Sequence, residues 1–277
     1  MSRDKKYVLV TGCSSGIGYH CAKRLKEEGE FKPIITARKE SDIERLISEG
    51  FECIKMDIGD SNSVQNGFNK ILSLTNGKLY AIFNNAGYGQ PGAVEDLSRG
   101  AIKEQFETNV FGAIELGNLA IKIFREQGYG EIIQNSSILG FVAFKYRGAY
   151  NASKFALEGF SDTLRMELKG SGISVSLIEP GPIKSNFRKN AYKQFLKYVE
   201  IEKSFHHETY KQSIKRFRSD KNDPFTLESE AVYKVLKKIL KSKNPKDRYR
   251  VTVPTKLFWY LKRVLPVSVL DRIVDRI

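Results

Sequence analysis

The chain has 277 residues, 41% of them apolar and 28% charged, with a formal net charge of +14. Its length and apolar content suit one large domain, and no run approaches the roughly 18 apolar residues that a membrane-spanning helix needs. The three cysteines and three histidines lack disulfide or metal-ligand spacing, so we expect no disulfide framework and no bound metal.

Short apolar runs alternate with segments of helical periodicity along the first two thirds of the chain. The first run is too short for a signal peptide, so we expect a cytoplasmic protein. Six runs have the β-branched composition of buried strands: 7–11, 33–37, 51–56, 79–83, 130–137 and 173–180. Because strands and helices alternate, the sequence predicts an α/β fold, a doubly wound parallel sheet with helices on both faces.

A glycine-rich loop, TGCSSGIG at 11–18, lies between the first predicted strand and the first predicted helix. Gly12, Gly16 and Gly18 would permit a tight turn and let backbone N–H groups approach a pyrophosphate. The spacing is GxxxGxG rather than GxGxxG, so it meets the general dinucleotide fingerprint only in part. A structural turn that binds no ligand is the alternative interpretation.

The second predicted strand ends in TARK, which places Arg38 twenty residues after Gly18. An acidic residue in this region binds the ribose 2′-hydroxyl of NAD, whereas an arginine accommodates the 2′-phosphate of NADP. The sequence therefore favours NADP(H) as cofactor. The alternative is that Arg38 is an ordinary surface residue of the loop.

Tyr150 and Lys154 stand four residues apart in YNASK, at the start of a predicted helix over 151–170. This spacing places both side chains on one helix face. An ammonium about 4 Å from a phenol, at an effective dielectric constant of about 20, favours the phenolate by about 4 kcal/mol, or about three pKa units. We therefore expect the pKa of Tyr150 to fall towards neutrality, so that Tyr150 can act as an acid or base. The pair alone, however, occurs by chance in many helices.

Several motifs occur together in an order and spacing that resemble the classical short-chain dehydrogenase/reductase family, over about residues 6–185. They are TGCSSGIG, NNAG at 84–87, FETNVFG around Asn109, NSS at 135–137, YNASK and EPGP at 179–182. The resemblance implies a Rossmann fold and a catalytic tetrad of Asn109, Ser137, Tyr150 and Lys154. Ser137 is preferred to Ser136 because it precedes Tyr150 by thirteen residues, the interval of the family.

The same resemblance implies a set of cofactor contacts at the carboxyl ends of the predicted strands. These residues are Gly12, Ser14, Ser15, Gly16, Ile17, Gly18, Arg38, Asp57, Ile58, Asn85, Ala86, Gly87, Tyr150, Lys154, Pro180, Ile183 and Ser185. Ser185 stands where the family usually has threonine. Asp57 could instead cap the following helix, and Asn109 could be a structural residue that joins two helices.

We expect one domain over residues 1–277. Beyond residue 183, its composition distinguishes two further parts. Residues 184–225 are basic, aromatic-rich and weakly periodic, and we expect a mobile substrate lid there. Residues 226–277 should form C-terminal helices and a last strand. Phe141, Phe144 and Tyr146, just before Tyr150, supply aromatic side chains for an apolar pocket, although aromatic residues also fill cores.

The positive charge is confined to the last third of the chain. Residues 1–183 hold 22 Lys+Arg against 22 Asp+Glu, whereas residues 184–277 hold 24 against 10, a difference of +14. An anionic membrane surface, an acidic partner or a simple solvated face would each fit this charge. No nucleic-acid recognition motif accompanies it, so we expect no nucleic acid as partner.

The C-terminal segment 256–277 combines basic residues with an apolar stripe. The stripe consists of Val267, Leu270, Ile273, Val274 and Ile277. It predicts either a peripheral anchor on an anionic membrane or a helix that packs on the body or on a second subunit. A homodimer through the helices around 98–127 and 151–170, as in many relatives, stays open.

The residues within these motifs are similar to those of one branch of the family. That branch includes 17β-hydroxysteroid dehydrogenases, retinol dehydrogenases and bacterial NADP-dependent aldehyde reductases. This resemblance implies NADPH-dependent reduction of an apolar aldehyde or ketone, with Tyr150 as the acid. One alternative is NADP-dependent oxidation of retinol-like or hydroxysteroid alcohols. A catalytically silent NADP(H) sensor or scaffold is an alternative of another class.

Overall fold

The computed structural model describes residues 6–276 except 220 and 222. Seven strands form one sheet: β1 Tyr7–Val10, β2 Lys32–Ala37, β3 Glu52–Lys55, β4 Ala81–Asn84, β5 Gly130–Asn135, β6 Ile173–Glu179 and β7 Arg248–Arg250. All pairs are parallel, in the order β3-β2-β1-β4-β5-β6-β7. The first six strands match the six predicted runs, and the doubly wound α/β fold is confirmed.

Helices cover both faces of this sheet. They are α1 Gly16–Glu28, α2 Glu40–Ser48, α3 Ser61–Thr75, α4 Arg99–Phe106, α5 Gly112–Gln127, α6 Gly148–Glu167, α7 Phe187–Tyr198, α8 His207–Arg218, α9 Glu230–Lys241, α10 Val253–Val264 and α11 Val267–Val274. Helices α1, α2 and α9 pack on one face, and α3, α5 and α6 pack on the other. The strands between these two layers are buried on both sides, which explains their continuous apolar runs.

The strand order reverses between β1 and β4, since β1 pairs with β2 on one side and with β4 on the other. At such a switch point the loops that follow the two strands run to opposite faces of the sheet and leave a crevice at their carboxyl ends. The loop that starts at Thr11 and the loop that starts at Asn85 border this crevice. The predicted cofactor loops therefore lie where parallel sheets bind ligands.

The long helical stretch expected between 98 and 127 is interrupted. A wider π-helical turn, Glu107–Phe111, separates α4 from α5. Such turns occur often at functional sites because the extra residue redirects side chains. Directly after it, a Cβ on Gly112 would lie 1.7 Å from the carbonyl oxygen of Ile58, so glycine allows α5 to pack against the loop after β3.

The segment predicted to be weakly periodic, 184–225, instead contains the two helices α7 and α8. Phe195 and Tyr210, both 1% exposed, meet edge to face with ring centres 5.0 Å apart. The Tyr210 hydroxyl accepts a 2.7 Å hydrogen bond from the backbone N–H of Ala93 in the main body. The aromatic residues therefore form a small core beneath the segment predicted to be a lid, and burial rather than local periodicity determines these helices.

The C-terminal stripe is divided between two environments. Leu270, Ile273 and Val274 of α11 pack on the body, whereas Val267 is 75% exposed. Ile277, the last residue of the predicted stripe, lies outside the described residues. Within residues 6–276, less 220 and 222, no helix is both long and apolar enough to cross a membrane.

Candidate active site

Each of the three glycines in the glycine loop occupies a position that a larger residue would not fit without strain or a clash. Gly12 and Gly16 have φ values of +70° and +64°, in the left-handed region that side chains disfavour. A Cβ on Gly18 would lie 2.5 Å from both Asn85 Nδ2 and the carbonyl oxygen of Gly12. Helix α1 begins at Gly16, and its first N–H groups have no acceptor within the helix. The loop and helix end together form an anion-binding cradle.

Hydrogen bonds of Thr11 and Asn85 join the glycine loop to the NNAG turn. The hydroxyl of Thr11 accepts hydrogen bonds from the backbone N–H groups of Asn85, at 2.9 Å, and Ala86, at 3.0 Å. Asn85 Nδ2 donates to the Thr11 carbonyl oxygen, while Asn135 Nδ2 donates to Asn85 Oδ1, both at 2.9 Å. Thr11 and Asn135 are not among the predicted site residues, although Thr11 directly follows β1 and Asn135 ends β5, both within the quoted motifs.

Arg38 follows the end of β2, and its side chain is 61% exposed. Its Nη1 lies 3.8 Å from Asp57 Oδ2, a loose ion pair at the edge of the crevice. Asp57 does not cap α3, because the cap is Asp60, whose Oδ1 accepts a 2.6 Å hydrogen bond from the N–H of Ser63. The alternative interpretation of Asp57 as a helix cap is therefore wrong.

The loop after β6 reaches the same crevice. A Cβ on Gly16 would lie 3.1 Å from Ser185 Cβ, and the carbonyl oxygen of Pro180 accepts a 2.8 Å hydrogen bond from the N–H of Ile138. The loop therefore connects the glycine cradle with the residues that follow Ser137. The other predicted contacts lie in these same segments: Ser14, Ser15, Ile17, Ile58 and Ile183.

Tyr150 and Lys154 project from the first turns of α6. The Nζ of Lys154 lies 5.8 Å from the centre of the Tyr150 ring and donates a 2.7 Å hydrogen bond to the carbonyl oxygen of Asn135. Ser137 interacts with the Tyr150 phenol, while its hydroxyl oxygen accepts a 3.1 Å hydrogen bond from the N–H of Leu139. Three members of the predicted tetrad are thus brought together.

Asn109, the fourth member, lies in the π-helical turn and is 1% exposed. Its Nδ2 donates to the Tyr88 carbonyl oxygen at 2.9 Å and to Ser153 Oγ at 3.1 Å. A Cβ on Gly87 would lie 3.0 Å from Asn109 Oδ1 and 3.9 Å from the Nζ of Lys154. Asn109 and the Lys154 ammonium thus both lie beside Gly87. Through Ser153, Asn109 also joins the π-helical turn to α6.

The pKa values of the pair contradict the expectation from the sequence. Burial raises the pKa of Tyr150 to about 12, against the lowering effects of the Ser137 hydrogen bond and of the nearby Arg147 charge. Burial also lowers the pKa of Lys154 to about 8, partly opposed by Glu158. Desolvation outweighs the Ser137 hydrogen bond and the Arg147 charge, so Tyr150 keeps its proton at neutral pH.

The surroundings of Tyr150 are largely apolar. Phe187, the first residue of α7, meets the Tyr150 ring with centres 5.3 Å apart, so the segment predicted to be a lid contacts α6. On the other side the phenol belongs to a buried cluster of Ile138, Leu139, Val142 and Phe258, joined by Phe141 and Phe144. Tyr146, predicted to line the same pocket, packs instead with the aromatic core under the lid.

Comparison with known proteins gives concordant matches. A family model for the short chain dehydrogenase matches residues 6–195. Uncharacterized oxidoreductase YbbO of Escherichia coli (strain K12) is 40% identical over 278 residues, which cover 98% of this chain and 94% of that protein. Retinol dehydrogenase 8 of Homo sapiens is 33% identical over 196 residues, 68% and 62% of the two chains. The crystal structure of a short-chain dehydrogenase from Streptomyces avermitilis superposes with a TM-score of 0.78 at 26% identity, covering 100% of this chain and 99% of that one.

Proposed function

Because the chain belongs to the short-chain dehydrogenase/reductase family, we propose that it reduces the carbonyl group of an apolar aldehyde or ketone with NADPH. The family establishes an oxidoreductase that acts on carbonyl or alcohol groups with a nicotinamide cofactor. The choice of NADPH, the reducing direction and the apolar substrate are our inferences. The observation that carries the catalytic part is the position of Tyr150 near Ser137 and Lys154 in an apolar cluster, and the choice of NADPH rests on Arg38.

The residues of the crevice fit a dinucleotide. Gly12, Gly16 and Gly18 let the loop pack closely against Ala86, Ser185 and Asn85, and the first N–H groups of α1, which lack acceptors within the helix, would bind a pyrophosphate. The exposed guanidinium of Arg38 supports NADP(H), since it can form a bidentate contact with a 2′-phosphate. The bound cofactor would supply the hydride.

Tyr150 would act as the acid of the reaction. With a pKa of about 12 it holds its proton at neutral pH and can donate it to the carbonyl oxygen as negative charge develops there. The Ser137 oxygen accepts a hydrogen bond from the N–H of Leu139, and its own proton, which is directed at the Tyr150 phenol, would turn to the same carbonyl oxygen when substrate binds. These two donors would orient the substrate and stabilise the forming alkoxide.

Lys154 would stabilise the tyrosinate that remains after proton transfer. Its ammonium is fixed by the Asn135 carbonyl oxygen, so its position does not depend on the charge of the phenol. Asn109 borders the same spot near Gly87, where we propose, from the family resemblance, that it holds a water molecule through which Lys154 exchanges protons with solvent. Tyr150 could then regain its proton for the next turnover.

The protonation state also bears on the direction of the reaction. Oxidation of an alcohol needs a base, and a tyrosine with a pKa of about 12 is a base only at high pH. Because one residue is the acid of reduction and the base of oxidation, the protonated form suits reduction at neutral pH. Oxidation of retinol-like alcohols, suggested by the relative retinol dehydrogenase 8, should become faster as the pH rises. The apolar residues around Tyr150 support a substrate with an apolar chain.

The test is a spectrophotometric NADPH-oxidation screen with medium-chain and long-chain aldehydes, ketosteroids and retinal. We expect turnover with at least one apolar carbonyl compound, and a loss of about 10²-fold to 10⁴-fold in Tyr150→Phe, which keeps the ring but not the acid. Activity that survives this substitution would contradict the proposed role of Tyr150. A lack of turnover with every carbonyl compound, despite NADPH binding, would favour a sensor or scaffold instead.

A further inference from the structure

Helix α10 presents a row of exposed apolar side chains. Val253, Leu257, Tyr260 and Val264 are 62%, 52%, 59% and 53% exposed. Their spacing of four, three and four residues puts them on one narrow face of the helix. This face, which we call the α10 stripe, is distinct from the stripe on α11 that the sequence predicted.

The orientation of α10 is fixed by its opposite face. Thr255 is fully buried and Phe258 is 6% exposed, while Leu261 packs on the same cluster as Tyr150. The helix therefore cannot turn the α10 stripe inward without loss of these contacts. Val267 and Val269, in the first turn of α11, are also exposed, at 75% and 37%.

All charged side chains of α10 are positive. Helix α10 carries Lys256, Lys262 and Arg263 and no acidic residue, and the last third of the chain contains the whole net charge of +14. In helical projection Lys256 and Arg263 lie along one edge of the α10 stripe. We propose that the α10 stripe docks on the surface of an anionic lipid bilayer, with its apolar side chains in the interface and its cations at the head groups.

The length of the helix fits this arrangement. Twelve residues span about 18 Å, too short for the hydrocarbon core but sufficient to lie in the plane of the interface.

A symmetric contact with a second copy would bring the same cations of two α10 helices towards each other. An anionic surface instead attracts them, and therefore we choose the bilayer as the occupant.

Docking in this way would place the reaction site beside the membrane. The inner face of α10 shares its apolar cluster with Tyr150, so the lipid surface and the phenol lie on opposite sides of one helix layer. This consequence for substrate supply rests on the proposed function, whereas docking itself does not. An apolar carbonyl compound dissolved in the bilayer would have a short path to Tyr150.

The experiment is co-sedimentation of the full chain with vesicles of phosphatidylcholine alone or with added phosphatidylglycerol. We expect at least about a fivefold larger pelleted fraction with the anionic vesicles, lost at high salt as charges are screened. In Leu257→Gln/Val264→Gln the fraction should fall to the level seen with neutral vesicles. Leu74→Gln/Met166→Gln, which changes side chains 47% and 66% exposed elsewhere, is the matched control and should pellet like the wild type.

Thermal unfolding and the rate of NADPH oxidation in solution show whether the variants remain folded, and both should be unchanged. Equal pelleting with neutral and anionic vesicles would overturn the proposal, as would wild-type pelleting of Leu257→Gln/Val264→Gln. A dimer in sedimentation velocity that this variant dissociates would also overturn it, because the α10 stripe would then be an interface between copies. If NADPH oxidation fails with all substrates while anionic vesicles still bind, only the proposed function is contradicted.

Discussion

The ammonium of Lys154 and the backbone carbonyl of Asn135 are joined by a 2.7 Å hydrogen bond that ties α6 to the carboxyl end of β5. This bond directs the lysine towards the strand end, while its Nζ remains 5.8 Å from the centre of the Tyr150 ring. Both side chains are at least nine-tenths buried. The Lys154 charge is therefore held by the backbone in a poorly solvated place, and under the proposed mechanism its loss should limit activity on the alkaline side.

The first prediction concerns this alkaline limit. With a pKa of about 8, Lys154 loses its charge as the pH rises, so kcat for carbonyl reduction should fall towards tenfold per pH unit above about pH 8. Lys154→Arg, whose guanidinium stays charged, should be slower at pH 7 but should lose this decline. A decline that persists unchanged in the arginine variant would assign it to another group.

Lys154 should also make the free energy of unfolding depend on pH. Its pKa is lower in the folded protein, about 8, than in the unfolded chain, about 10.4, so the unfolded state binds more protons between these values. The contribution of Lys154 to the free energy of unfolding should therefore rise from pH 8 to pH 10.4. Urea denaturation of wild type and Lys154→Met over this range measures it, and the advantage of the methionine variant should shrink as the pH rises.

Arg38 should determine the choice between NADPH and NADH. Arg38→Ala should lower kcat/KM for NADPH by about tenfold to hundredfold, because a charge-assisted contact with the 2′-phosphate is lost, and should change kcat/KM for NADH by less than about twofold. Lys39→Ala, at the next exposed position, is the control for a general loss of positive charge. Equal losses with both cofactors in Arg38→Ala would contradict a specific phosphate contact.

Phe187 should affect the specificity of the substrate site. Its ring contacts Tyr150 yet is 40% exposed, so Phe187→Ala should leave the thermal unfolding midpoint nearly unchanged. We expect kcat/KM to fall about tenfold for long-chain aldehydes and much less for short ones, since only the long chains would reach the lid. Phe205→Ala, a lid residue that is 90% exposed, should have no such effect. A uniform loss for all chain lengths would indicate a role in chemistry instead.

The six strands and the glycine loop were predictable because their signals are local. Buried parallel strands require continuous apolar runs, and Gly12 and Gly16 mark backbone conformations that other residues disfavour. The pKa of Tyr150 was not predictable from its spacing to Lys154. It depends on burial by Phe258 and Phe187, which come from distant parts of the chain.

The lid helices and the α10 stripe were missed for a related reason. Helices α7 and α8 are stabilised by contacts such as Phe195 with Tyr210 and Tyr210 with Ala93, which no local periodicity reveals. For the C-terminal segment the sequence showed apolar and basic residues but not which face the body covers. The structure packs the half-buried Leu270 of α11 on the body and leaves Leu257 of α10 exposed, so most of the unpartnered apolar face lies on α10.

The last prediction concerns Glu131 on β5, a carboxyl group that is 8% exposed and whose Oε2 has no hydrogen-bond partner among the described residues. Burial raises its pKa to about 8, well above about 4.3 in the unfolded chain. The folded state therefore holds an extra proton between these values, and the stability that this group contributes is lost as the pH rises through 8. Glu131→Gln, which is neutral and similar in shape, should gain stability relative to wild type as the pH rises, by up to about 4 kcal/mol between pH 5 and pH 9, since each pKa unit corresponds to about 1.4 kcal/mol. Urea denaturation at both pH values measures this, with the exposed Glu126→Gln as control. A difference that does not depend on pH would show that Glu131 is charged in the folded protein at pH 5 as well.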